Sequence, residues 1–243
     1  MSCPMELFQA GAHWAGRRET AEECARRVEV LFQQLGLCDP AYARWFEYSY
    51  SRKHSLQQPF EPTYETFLRF FERRKFRLAR EVFTFDAWTG QEERGRGGML
   101  SFTCGSNEPF YSNLCVLHLP REEPAASRVL TVAGLTAVVR AMVRAWEPDG
   151  CAVIAEGDRD AKKVLEDGGP CLGWLMYVSA ERGNVPTLPK PVRVEPMEGK
   201  GSLIILTPER FSLRNPAHVA LAGRVRERLQ DAGLLPAPKK KEE

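Results

Sequence analysis

Histidine is scarce here, Cys-x-x-Cys pairs are absent, and net charge is nearly so: four His, and +2 from 34 basic against 32 acidic side chains in 243 residues. His13, His54, His118 and His218 stand far apart, and none lies beside a patterned Ser, Cys or carboxylate, so nothing nominates a hydrolytic triad. The seven cysteines, at 3, 24, 38, 104, 115, 151 and 171, form no close Cys/His grouping of zinc-ligand spacing; their odd number suits a reducing cytosol. A charge near zero provides no overall field to draw the molecule onto nucleic acid or an anionic membrane. No stretch offers the ~18 uninterrupted apolar residues of a spanning helix. Met1 to Glu6 has neither a basic start nor a long apolar run, so we expect no export signal and a cytoplasmic protein.

What is present is an ordinary globular composition, 43% hydrophobic and 27% charged, which argues against global disorder. Leu7 to Trp14 reads as a first strand. Thr20 and Glu23 make a capping box before an apolar stripe of Ala21, Cys24, Ala25, Val28, Leu31, Phe32 and Leu35, with Gly36 as a stop. Asp39-Pro40 predicts a short helix through Trp45 and Phe46, Ser51 to Pro62 a loop, and Thr63 the cap of a further helix.

A period of two then takes over, giving strands at Val82 to Trp88, Met99 to Cys104 and Asn113 to Leu119, joined by exposed loops over Gly90 to Gly98 and Gly105 to Tyr111. A long helix follows from Leu130 to Trp146. Near-continuous apolar runs at Cys151 to Ala155, Leu172 to Val178 and Leu203 to Leu206 read as central strands, with an edge strand at Val192 to Val194 and a short helix at Asp160 to Glu166. A last helix begins at Asn215-Pro216 and ends at Gly233. The fold class is therefore α+β: mainly antiparallel sheet packed against several amphipathic helices, because the strands cluster instead of alternating with helices. We expect one domain over residues 1–236, with a seam between two lobes near 121–129 as an option, and a polar, disordered tail over 237–243.

Each motif that hints at chemistry has a plainer reading. Cys104, before Gly105-Ser106, could be a nucleophile at a strand end, but a free cysteine is usually a small buried hydrophobe. Glu198-Gly-Lys200 has the acid-x-lysine form of metal-dependent nucleases, yet it falls in a glycine-bearing turn. Arg94 to Gly98 is glycine-rich like a phosphate loop, but leads into a strand where such a loop needs a helix N-terminus. The basic run Arg73-Arg74-Lys75-Phe76-Arg77 fits a solvated helix end. Trp14, Tyr48, Tyr50, Trp88, Phe110 and Tyr111 fall at element ends or in loops, and as a set they favour a binding surface.

Several segments together carry a family likeness. The stretch Ala12 to Arg26, with its Trp-x-Gly-Arg-Arg-Glu-Thr-Ala-Glu-Glu core, joins Asp39 to Trp45, Ser51 to Lys53, Asp86-Ala-Trp-Thr-Gly90, Cys104-Gly105, Asn113 to Pro120, Trp146-Glu-Pro-Asp149, Gly173 to Tyr177 and Phe211 to Leu221. In these the chain resembles the immunity protein 52 family of bacterial polymorphic-toxin systems. The resemblance implies an α+β antidote encoded beside a toxin, the toxin being a nuclease with a restriction-endonuclease-like fold; it brings no catalytic residues, cofactor or metal.

The expected function is thus an antitoxin that binds and neutralises its cognate protein toxin by stoichiometric occlusion, with no membrane or direct nucleic-acid partner. An antidote that mimics nucleic acid should be acidic, whereas this chain is slightly basic, so any acid must be concentrated. We place the partner-binding site at Asp86, Trp88, Glu92, Glu93, Glu108 and Tyr111, in or beside the central hairpin loops, with Glu122 and Glu123 nearby. The alternatives are an enzyme whose site forms only in three dimensions and a nucleic-acid-binding module using Arg73 to Arg77.

Overall fold

Trp14 closes β1 (Phe8–Trp14), a strand whose seven residues are all buried. It pairs on both edges, with β7 (Asn113–His118) on one side and β8 (Gly150–Ala155) on the other. In this computed structural model, which describes residues 6–91, 98–108, 110–158 and 170–235, β1 is the middle of an eleven-stranded antiparallel sheet. On the β7 side come β6 (Met99–Cys104), β5 (Val82–Trp88), β2 (Trp45–Glu47) and β3 (Pro59–Phe60), with β4 (Arg77–Ala79) also on β5. On the β8 side come β9 (Leu175–Ser179), β11 (Gly201–Ile205) and the edge strand β10 (Arg193–Met197).

One face of the sheet is covered by α1 (Ala21–Cys38), α3 (Tyr64–Glu72) and α5 (Val132–Trp146), α1 lying between the other two. Phe85 and Phe102 on that face meet Phe70, Phe71 and Trp146, and Trp14 stacks on Trp146 with centroids 4.7 Å apart. The stripe read along α1 is the buried one. Its capping box forms as expected, Glu23 N donating to Thr20 Oγ1 and Thr20 N to Glu23 Oε2.

The other face is unevenly covered. Over β1, β8, β9 and β11 its side chains are buried too, including Gln9, His13, Ile154, Met176 and Ile204. Cys171 packs on Ala152 and Ile154, while Leu213 and Ala222, the latter on α6 (Pro216–Asp231), share a small cavity with Ile154. Over β5, β6 and β7 the outward side chains from Thr84 onward are half-buried or exposed, and among the outward positions only Val82, at the start of β5, is buried.

Several local expectations change. Gly36 lies inside α1, which runs on to Cys38, because it does not take the left-handed conformation of a C-cap glycine. Asp39-Pro40 starts only a 3₁₀ turn (Pro40–Tyr42); Trp45 and Phe46 are drawn into β2, Phe46 by pairing with Trp88 and Trp45 by pairing with Phe60. The loop from Ser51 holds a short helix α2 (Arg52–Ser55) and β3. The long helix α5 forms nearly as expected, starting at Val132 where Thr131 Oγ1 accepts from Gly134 N at 3.0 Å, and a separate short helix α4 (Ala125–Val129) precedes it. The helix expected at Asp160 to Glu166 and the tail over 237–243 lie outside the described residues.

Candidate functional site

Part of the segments that carry the family likeness, from Ala12 to Arg26, at Gly105, Asn113 and Trp146 to Asp149, converges at one end of the sheet, and what it builds there is scaffold. Glu19, buried between β1 and α1, lies 3.1 Å from Arg17 Nε and 2.5 Å from Arg27 Nε. Those arginines reach on to the carbonyls of Trp146 and Ala145, so they satisfy the C-terminal end of α5, where cations are favoured. Asp149 accepts from Ala15 N at 2.6 Å, and Asn113 joins Ser106 to Ala15. Gly105, at φ +84°, has room for no Cβ: one would lie 2.6 Å from the Glu81 carbonyl. Phe211 to Leu221 is likewise architectural: His218 Nδ1 accepts from Ser212 N, its Nε2 lies 2.9 Å from Glu209, and its ring stacks on Phe211.

The hints of chemistry dissolve in the same way. Cys104 is fully buried, and burial pushes its thiol well above the usual range, so it is no thiolate nucleophile. Cys115 and Cys171 are pushed up to about 12 by the same cause. Glu198 sits in the β10–β11 turn and is held by Arg140 and Arg144, the Arg144 hydrogen bond keeping its carboxyl below the usual range; Lys200 pairs instead with Glu147. His118 Nδ1 lies 3.1 Å from Glu156, with no nucleophile among the contacts described. No three His, Cys, Asp or Glu side chains among the described residues are grouped to hold a metal ion, and no described helix is long and apolar enough to cross a membrane. Arg73 and Lys75 both pair with the buried carboxylate of Glu47, and Arg77 donates to the carbonyls of Phe71 and Arg80; the helix ends before this run. These cations therefore brace β2 and β4 instead of forming a free basic stripe.

The sheet face that the described elements leave least covered is the surface left for recognition. Strand register sets its side chains in three rows across β5, β6 and β7: Trp88, Met99 and His118; Asp86, Ser101 and Val116; Thr84, Thr103 and Leu114. β2 adds Phe46 beside Trp88, ring centroids 6.4 Å apart. Tyr48 N donates to the Asp86 carbonyl at 3.0 Å, which sets the half-exposed Tyr48 opposite Asp86. At the Trp88 end the face runs into an open groove of about 300 Å³ bounded by Ala41, Arg44, Phe46, Leu56 and Gly90. A second groove of about 290 Å³ shares Pro40, Ala41 and Gln91 with it and extends to Glu123 and Arg128.

The structure therefore brings together only part of the expected site. Asp86 and Trp88 stand two residues apart on the open face. Glu108 and Tyr111 are in the β6–β7 connection, at the opposite end of β6 from Trp88, which pairs with Met99. Five residue steps along β6 put about 17 Å between those ends, so Trp88 and Tyr111 do not form one anchor pair. Glu92 and Glu93 lie outside the described residues. Glu122 and Glu123 line the second groove. Trp14 is buried against Trp146 and belongs to no surface. Tyr48, which sequence reasoning left among the aromatic residues at element ends, joins Asp86 only through pairing between strands 38 residues apart.

A family model described as immunity protein 52 matches residues 6–238. Among solved structures, a Pseudomonas aeruginosa protein described as a T6SS protein superposes with a TM-score of 0.52 at 11% identity, covering 92% of this chain and 73% of that one, a likeness of fold. No curated protein matches the sequence.

Proposed function

Because the chain belongs to the immunity protein 52 family, matched over residues 6–238, we propose that it is the antitoxin of a polymorphic-toxin pair and neutralises its toxin by binding it stoichiometrically. The toxin is a protein encoded by an adjacent gene, and by the family resemblance a nuclease with a restriction-endonuclease-like fold; its setting is competition between bacteria. Association, and no turnover, is the work asked of this fold.

The observation that carries this reading is the contrast between the two faces of the sheet. Side chains that could do chemistry are buried or locked in structural pairs, while the β5–β6–β7 face leaves an aromatic, a methionine, aliphatics and hydroxyls only half-buried, with Asp86 exposed among them. That composition resembles the mixed apolar and polar patches of protein interfaces. Mimicry of nucleic acid by massed carboxylates fits poorly, since on the described part of this face Asp86 is the one carboxylate among the three rows.

Co-expression with the adjacent toxin gene tests the reading. The expected result is survival of the host and coelution of the two proteins as a complex of equal stoichiometry. Survival with a chemically altered toxin and no complex would replace binding by enzymatic inactivation.

A further inference from the structure

The open face alone is too small to hold a toxin tightly. Three strands and three rows span roughly 10 by 14 Å, well short of the ~800 Å² that each partner gives to a standard interface. The grooves at the Trp88 end continue it over Pro40, Ala41 and Gln91, and Arg44 lies over the Phe46 ring at 4.9 Å where face and groove meet. Together they make one surface that runs from the open face past the Trp88 end of the sheet to Pro40 and α4.

Its chemistry is most specific at Asp86. This side chain is exposed, has no ion-pair partner among the described residues, and stands between Tyr48 across the strand and Trp88 two residues on, with Ser101 opposite on β6. Other acidic side chains near the surface are already engaged: Asp39 by Arg128, Glu47 by Arg73 and Lys75, Glu156 by His118. A lone carboxylate bordered by aromatic rings suits a guanidinium, which can take two parallel hydrogen bonds from its edge and stack its plane on a ring. An ammonium provides only the charge.

Resting on the antitoxin reading above, we infer that the β2–β5–β6–β7 face and its adjoining groove are where the toxin docks, and that Asp86 receives an arginine from a basic surface of the toxin, with Tyr48 and Trp88 as its aromatic walls. The family motif end, with Arg17, Glu19 and Arg27, stays out of the complex. A nuclease presents such arginines where it grips phosphates, so capture of one by Asp86 couples binding to inhibition.

The experiment measures binding of the catalytically inactivated toxin domain, taken from the adjacent gene, to the full-length protein and to four variants. Asp86→Lys should weaken binding at least about a hundredfold, since it sets two cations against each other. Asp86→Asn should weaken it about tenfold and flatten the salt dependence. Tyr48→Ala with Trp88→Ala should cost about tenfold or more. Leu37→Ala, exposed on the helix side, should bind as the parent does. Thermal unfolding checks that each variant is folded; if the double aromatic variant is not, the exposed Asp86 substitutions decide. A parent protein that binds while Asp86→Lys binds within about twofold of it would overturn the location and leave the antitoxin reading standing. A parent protein that does not bind would overturn both.

Discussion

Arg27 Nε lies 2.5 Å from Oε1 of Glu19, and Glu19 has 4% of its surface exposed. This pair ties α1 to the end of α5, because the same guanidinium donates to the Ala145 carbonyl at 3.0 Å. Removing the carboxylate leaves two arginines facing each other in a largely dry seam. Glu19→Ala should therefore cost about 3 kcal/mol, a fall in Tm of roughly 6–12 °C for a chain of this size. Calorimetry that finds Tm unchanged would show that the pair is not structural.

His13 is buried on β1, and neither ring nitrogen has a hydrogen-bond partner. Burial, aided by Arg182 and opposed by Asp149, lowers its pKa from 6.5 to about 4. The unfolded chain thus binds this proton more readily than the folded one, so the contribution to stability is complete above pH 6.5 and is lost as pH falls toward 4. Between pH 7 and pH 5 the parent should lose about 2 kcal/mol through this site alone. His13→Gln should lack that part of the pH dependence in urea titrations; equal slopes in parent and variant would contradict the assignment.

Gly105 needs its missing side chain for two separate reasons, a left-handed backbone and the Glu81 carbonyl 2.6 Å from where a Cβ would sit. Gly105→Ala should destabilise by about 2 kcal/mol or more, measured by chemical denaturation. A change below about 0.5 kcal/mol would mean the turn relaxes freely.

The run from Arg73 to Arg77 yields a prediction that separates two readings. Three of its four cations, Arg73, Lys75 and Arg77, are used within the fold, so the isolated protein should not retard duplex DNA at physiological salt. Arg73→Ala with Lys75→Ala should lower stability by stranding Glu47, which is 6% exposed. Tight, salt-sensitive DNA binding that this double variant abolishes would restore the nucleic-acid reading.

How much of this was legible in the sequence follows from the range of the interactions. The alternation in Val82 to Trp88 and Met99 to Cys104 placed both strands at their observed bounds, because burial on one face imposes a period of two. The Thr20 and Glu23 box was readable because both partners lie within one turn. The open face was not, since it depends on β2 pairing beside β5 and on α6 and the Cys171 segment covering only the other half. The expected residues are divided between two ends of the sheet for a simpler reason: successive hairpin connections emerge at opposite ends of the strand they share, which parts Trp88 from Tyr111. Trp14 was read as an interface residue because composition cannot distinguish an aromatic at a strand end from one that stacks under a helix.

The central claim, inhibition by association, is tested most directly by titrating the activity of a fixed concentration of toxin with this protein, well above the dissociation constant. The account predicts a straight decline that reaches zero at one equivalent and full recovery of toxin activity when the complex is denatured and the toxin refolded alone. Complete loss of activity at a small fraction of an equivalent, growing with time and not recovered from the separated toxin, would contradict it.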